Sequence, residues 1–227
     1  MEYAGTDLEA AHWRQGRLVV GVDEVGRGAW AGPVSVGAVA LDAGRVPEGL
    51  ADSKLLPPAT RERLAGMLAT TALGAVVADA TNDEIDALGL AAALRLATRR
   101  AVSGLAAALA RPIDVALIDG PVDLVGRTAS EEGTGLEPAW SGAEVVPVIG
   151  GDRVSVSIAA ASIVAKVARD ALLVAAEAEH AGYGFAANKG YPTPAHRRAL
   201  AELGPCPLHR HSWRPIAALT APRLALG

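Results

Sequence analysis

Three apolar runs that each stop at a carboxylate constrain this chain more than any other feature. Residues 18–22 run into Asp23-Glu24, residues 113–118 into Asp119-Gly120, and residues 145–149 into Gly150-Gly151-Asp152. Runs this short, bounded by turn residues, read as strands. Residues 34–41, valine-rich and opened by Gly32-Pro33, and residues 73–80 read as two more. The first and second runs are joined by the turn Gly26-Arg27-Gly28 and read as an antiparallel pair. Helical patterns lie between and after the strands. Residues 57–68 begin with two prolines and place Leu64, Met67 and Leu68 on one face. Thr81 and Glu84 form a capping box, and residues 90–110 make a long Ala/Leu-rich helix that Arg111-Pro112 ends. A second long helix is expected over 155–180, with Ile158, Ala161, Ala165, Ala168 and Leu172 on its buried face. A further helix is expected over 194–203, and residues 126–142 read as an exposed loop. The pattern is α/β: a mixed sheet flanked by helices, with a small helical C-terminal portion.

Half of the 227 residues are apolar and 20% are charged, enough for a sizeable core and incompatible with wholesale disorder. No apolar run approaches the roughly 18 residues of a membrane span. Glu2, Asp7 and Glu9 precede any apolar stretch, which is wrong for a secretory signal. A single cysteine, Cys206, excludes an internal disulfide framework and a cysteine zinc cluster. A soluble cytoplasmic protein is expected. The net charge of −4 does not advertise a nucleic-acid binder, but phosphate binding depends on local basic patches rather than on the total.

One acid after one strand is most simply a solvated loop residue. Three such ends, each beside glycine, point to a shared site. Carboxylates drawn together repel one another unless a cation neutralises them, and hard oxygen ligands favour magnesium or manganese over zinc. Neighbouring side chains on a regular strand face opposite ways, so Asp23 and Glu24 share a site only if the strand bends or ends there. Gly26-x-Gly28-x-x-Ala31 formally fits a dinucleotide fingerprint. That reading requires a helix immediately afterwards, whereas a strand follows.

The stretch GVDEVGRGAWAGPVSVGAVAL (residues 21–41) resembles the opening of bacterial type 2 ribonuclease H, ribonuclease HII. Asp52-Ser53-Lys54, Ile118-Asp119-Gly120, AASIVAKVARD (residues 160–170) and Lys189-Gly190-Tyr191-Pro192-Thr193 resemble the same family in the same order. The resemblance implies a ribonuclease H-like catalytic domain over 17–180, preceded by a segment 1–16 and followed by a helical extension over 181–227. It implies that Asp23, Glu24, Asp119 and Asp152 hold two divalent ions, magnesium or manganese. It further implies that Gly26, Arg27 and Gly28 recognise a ribonucleotide 2′-hydroxyl, that Tyr191 packs on the sugar, and that Lys54 meets phosphate. The implied partners are RNA–DNA hybrids and duplex DNA containing ribonucleotides. Cleavage is expected 5′ to the ribonucleotide, leaving 5′-phosphate and 3′-hydroxyl ends, by a monomer. Gly150-Gly151-Asp152 stands where the family usually has Lys-Gly-Asp, Ala159 where serine is usual, and Gly89 where asparagine is common.

Lys166 and Asp170, four apart on a helix, read as a local ion pair. His209 and His211 read as exposed polar residues, and Cys206 as inert. Two competing readings use the same residues: a nuclease acting on DNA alone, and a hybrid-binding module without catalysis.

Overall fold

The computed structural model describes residues 3–124 and 142–220; of the loop expected over 126–142, only Gly142 lies within the described residues. The strands are β1 (Val19–Val25), β2 (Val34–Ala40), β3 (Gly74–Ala80), β4 (Val115–Asp119) and β5 (Glu144–Val148). Around them lie α1 (Asp7–Arg14), α2 (Pro58–Thr71), α3 (Asn82–Leu88), α4 (Leu90–Leu109), α5 (Gly151–Val154) and α6 (Val156–Ala176). The C-terminal helices are α7 (Phe185–Asn188), α8 (Pro194–Leu203) and α9 (Arg214–Thr220). The sheet order is β3-β2-β1-β4-β5. The β1–β2 and β2–β3 pairs are antiparallel, as expected for the first two strands, and the β1–β4 and β4–β5 pairs are parallel.

Both faces of the sheet are covered, which explains strands that read as near-continuous apolar runs. Val20 and Val22 of β1 join Leu94, Val102 and Leu105 of α4 in one core. Val19, out of phase with them in the strand alternation, packs with Ile158 of α6 on the opposite face. The α6 layer comes unusually close to the sheet. A Cβ on Gly21 would lie 2.0 Å from the Ser157 carbonyl carbon, and one on Gly37 would lie 2.4 Å from the Ala161 oxygen. Only glycine at these two strand positions, facing the alanines of α6, permits that approach. Each fully buried branched side chain in this layer, such as Ile158 or Ile163, contributes about 1.5–3 kcal/mol.

The Thr81–Glu84 capping box forms as expected. One expectation about the helices needs correction. Ala168 and Leu172 are exposed; beyond Ala165 the buried line of α6 runs through Arg169 and Leu173 instead. Apolar periodicity cannot signal Arg169, whose burial depends on backbone carbonyls from other parts of the chain. Helix α4 runs to Leu109 and is capped by Ala110 in the left-handed conformation, immediately before Arg111-Pro112, as the expected helix over 90–110 requires.

Helix α1 has no counterpart in the sequence expectations. It sends Glu9, fully buried, to accept hydrogen bonds from the Ser155 hydroxyl and the Ser157 N–H at the start of α6. The C-terminal helices close a further core of Ala31, Leu173, Tyr183, Phe185, Leu200 and Ile216 against the loop that follows β1. No helix among the described residues is long and apolar enough to cross a membrane.

Candidate active site

Parallel pairing of β1 with β4 brings two of the predicted acids together. The register ends at Val22↔Ile118, so Asp23 and Asp119 occupy the next rung. The chain leaves β5, turns at Gly150 in the left-handed conformation and enters α5, which carries Asp152. The Gly151 N–H donates to Asp119 Oδ1 at 2.7 Å, fixing the fourth acid's turn to the third acid. Asp23 shares the α6-facing side of β1 with Gly21. It is 4% exposed and hydrogen bonds to Ser162, while its Oδ1 accepts the Glu24 N–H at 2.7 Å.

The electrostatics are those of crowded carboxylates. Burial, with the negative charges of Glu24 and Asp119 behind it, raises the Asp23 carboxyl from 3.8 to about 7 against the lowering effect of Ser162. Asp152 is raised too, first by burial and then by Asp52 and Asp119. Lys54 is exposed, with its Nζ 3.9 Å from Asp152 Oδ2. Burial alone would lower its ammonium, but facing Asp52, Asp23, Asp152 and Asp119 it is raised. Lys54 therefore restores a positive charge beside Asp152, where Gly150 brings none.

The donor set is all oxygen and carries more negative charge than its neighbours neutralise, which suits a hard divalent cation. Among the described residues no three metal-binding side chains converge as a complete cage. Instead Asp23 and Asp119 accept backbone N–H groups, and Glu24 Oε1 takes the Arg27 guanidinium at 2.9 Å.

A cleft of about 450 Å³ opens beside the acids. Glu24, Gly26, Arg27, Gly28, Lys54 and Tyr191 line it together with Ser53, Ser162 and Lys166. Every substrate-binding candidate from the sequence is thus in one wall or another of a single cleft. Asp119 and Gly120 line a neighbouring hollow, which Arg27 also borders. Lys166 does pair with Asp170, at 2.7 Å, and its Nζ also stands 5.9 Å from the Tyr191 ring centre.

His209 corrects its sequence reading: it is fully buried. The Cys206 N–H donates to its Nδ1 at 2.9 Å, and its Nε2 lies 3.0 Å from His196 Nε2. His196 Nδ1 in turn lies 2.9 Å from the Tyr191 carbonyl oxygen, which can only accept. The partners fix the tautomers: His196 carries its proton on Nδ1 and His209 on Nε2. Burial, then the neighbouring His196, pushes His209 down to about 4, so the chain is neutral and anchors the Tyr191 backbone. Cys206 is a near neighbour, but the His196 ring and the Tyr191 carbonyl that complete the chain lie more than ten residues away, so no local pattern announces the burial.

A sequence model of ribonuclease HII matches residues 20–216. The chain belongs to the ribonuclease HII family. It is 47% identical over 203 residues to the ribonuclease HII of Streptomyces avermitilis, covering 89% of this chain and 79% of that one. It is 48% identical over 202 residues to that of Moorella thermoacetica, covering 88% and 89%. The ribonuclease H2 crystal structure from Pyrococcus horikoshii is similar, with a TM-score of 0.70 at 26% identity, covering 89% and 96%. The ribonuclease HII family is one of ribonuclease H hydrolases, so this chain is an endoribonuclease acting on RNA–DNA hybrids.

The sequence does not single out several residues in and beside the cleft. Asp52 is buried, accepts the Lys54 N–H at 2.9 Å and stands 3.7 Å from the Arg153 guanidinium. The Ser53 and Ser162 hydroxyls are 2.8 Å apart and bridge the loop after β2 to α6 beside Asp23. Asp52 and Ser53 adjoin Lys54 in the Asp52-Ser53-Lys54 motif, which is the one sequence signal for their place here.

Proposed function

We propose that the chain cleaves the phosphodiester on the 5′ side of a ribonucleotide, including a single ribonucleotide embedded in duplex DNA, and leaves 5′-phosphate and 3′-hydroxyl ends. The observation that carries this reading is the adjacency of the acid cluster to the glycine loop. Asp23-Glu24 and Gly26-Arg27-Gly28 are separated by one residue, so a sugar held at the loop has its phosphate beside the carboxylates.

Asp23, Glu24, Asp119 and Asp152 are the residues to hold two divalent cations, magnesium or manganese. When bound, these supply Lewis-acid chemistry, lowering the pKa of water and offsetting charge on the phosphoryl and leaving oxygens. The protein's own groups do the positioning. Lys54, drawn towards the acids but largely exposed, is placed to meet a backbone phosphate. Arg27 exchanges Glu24 for the substrate backbone. Gly28 leaves open space where a side chain would stand, so the main chain can approach a sugar. Its N–H and that of Arg27 read the 2′-hydroxyl, the group that distinguishes RNA from DNA at one residue. Tyr191, its backbone anchored by His196, closes the other side of the sugar.

The test is cleavage of a duplex with one embedded ribonucleotide, beside an all-DNA duplex, in chelator and with magnesium or manganese restored. Cleavage at the ribonucleotide that requires the metal is expected. Cleavage of the all-DNA duplex would favour a DNA nuclease, and full hydrolysis in chelator would overturn the two-metal reading.

A further inference from the structure

Two arginines lie where charged residues are rarely found. Arg169 is 1% exposed and Arg210 is 0% exposed, and no carboxylate among the described residues stands within ion-pair distance of either. A buried cation without a counter-ion persists only if other groups satisfy its donors. Here backbone carbonyls do so. Arg210 donates to Gly26 O at 2.7 Å, Arg27 O at 3.0 Å, Gly32 O at 3.0 Å and Pro33 O at 3.0 Å. Arg169 donates to Ala31 O at 3.0 Å, Pro33 O at 2.8 Å and Lys189 O at 2.9 Å. Burial, then the Arg169 charge, pushes Arg210 down to about 9, which leaves it protonated at neutral pH.

These carbonyls belong almost entirely to one stretch, the loop from Gly26 to Pro33. The same loop leaves the Arg27 and Gly28 N–H groups without an acceptor among the described residues, in the wall of the cleft. Each peptide whose oxygen is held by a buried guanidinium has a fixed plane, and its N–H is polarised as a donor. A Cβ on Gly26 would lie 2.3 Å from Arg169 Nε, so glycine there lets the guanidinium lie against the loop. Arg169 also stands 5.6 Å from the centre of the Tyr191 ring and holds the Lys189 carbonyl two residues before it. Both walls of the cleft thus hang on one buried pair.

We propose that Arg210, supported by Arg169, is a positioning residue for ribose recognition: it holds the carbonyls of the glycine loop so that the loop's free N–H groups are preorganised for the 2′-hydroxyl. The proposal rests on the reading of that loop given above.

Arg210→Lys tests it, because one ammonium keeps the charge but cannot span four carbonyls. Binding is measured in chelator, without cleavage, to a duplex with one ribonucleotide and to the same duplex in all-DNA form. Amide hydrogen exchange is followed at Ala29, Trp30 and Gly32, whose N–H groups are bonded to Gly26 O, Gly190 O and Leu208 O. The unaltered protein should prefer the ribonucleotide duplex by about tenfold, the worth of a good hydrogen bond. The variant's preference should drop below about twofold while its affinity for the all-DNA duplex holds and the three amides exchange faster. A retained preference overturns the proposal. Equal weakening on both duplexes also overturns it, leaving Arg210 a staple between the C-terminal helices and the sheet. No preference in the unaltered protein would sink the sugar-reading role of the loop, while unchanged exchange in the variant would sink the positioning role itself. If Arg210→Lys does not fold, Arg169→Lys, which loosens Ala31, Pro33 and Lys189, is read by the same criteria.

Discussion

Asp23→Asn should stabilise the metal-free protein while abolishing hydrolysis. Burial, then Glu24 and Asp119, hold the Asp23 carboxyl at about 7 in the folded chain, against 3.8 when free. At about 1.4 kcal/mol per pKa unit, that difference is roughly 4 kcal/mol of native-state penalty once the group is ionised. Asparagine removes the charge at nearly constant volume but weakens the bonds from Ser162 and the Glu24 N–H, at about 1 kcal/mol each. A net gain of about 2 kcal/mol remains, or roughly 4–8 °C in melting temperature for a chain of this size. The pH dependence follows from linkage. Between 3.8 and about 7 the folded state binds more protons than the unfolded one, so the unaltered protein loses stability as pH rises through that window. The advantage of asparagine is therefore full at pH 8 and should vanish near pH 4.5. Thermal melts in chelator at the two pH values, with cleavage assays alongside, check it. Saturating manganese should reverse the order, because a cation held by the native carboxylates stabilises the native protein by mass action. A melting temperature unchanged or lower at pH 8, or a gain equally large at pH 4.5, would refute the reasoning.

Four further outcomes can be measured. Gly21→Ala should destabilise the fold by about 3 kcal/mol in a denaturant melt, since its methyl meets the Ser157 main chain rather than a flexible side chain. Thr81→Ala should cost about 1 kcal/mol through loss of the capping box. In the same cap, Arg100, then the Thr81 N–H, lower Glu84 to about 2, so its stabilising contribution holds above pH 4.5 and fades as pH falls towards 2; Glu84→Gln should flatten that part of an acid titration of stability. Tyr191→Ala should slow cleavage at a single ribonucleotide about tenfold, equivalent to about 1.4 kcal/mol, in protein that remains folded by circular dichroism; an unchanged rate would remove Tyr191 from the site.

Much of the fold is local and was legible in the residues. Strand lengths, the β1–β2 hairpin with its glycine turn, the capping box and the two long helices all follow from patterns within about twenty neighbouring residues, because backbone hydrogen bonding and side-chain periodicity act at that range. The acids at strand ends were legible for the same reason, and the family resemblance supplied their grouping. Tertiary structure alone decided what depends on distant partners. The rung that seats Asp23 beside Asp119 comes from the pairing of β1 with β4, strands nearly a hundred residues apart. The turn of α6 that buries Arg169 rather than Ala168 exists because carbonyls of Ala31, Pro33 and Lys189 wait for its donors. His209 and Arg210 look like surface residues in a polar tail, yet both are fully buried. A polar side chain enters a core only when its hydrogen-bonding partners are already there, and those partners are chosen by the fold and not by the neighbours in the chain.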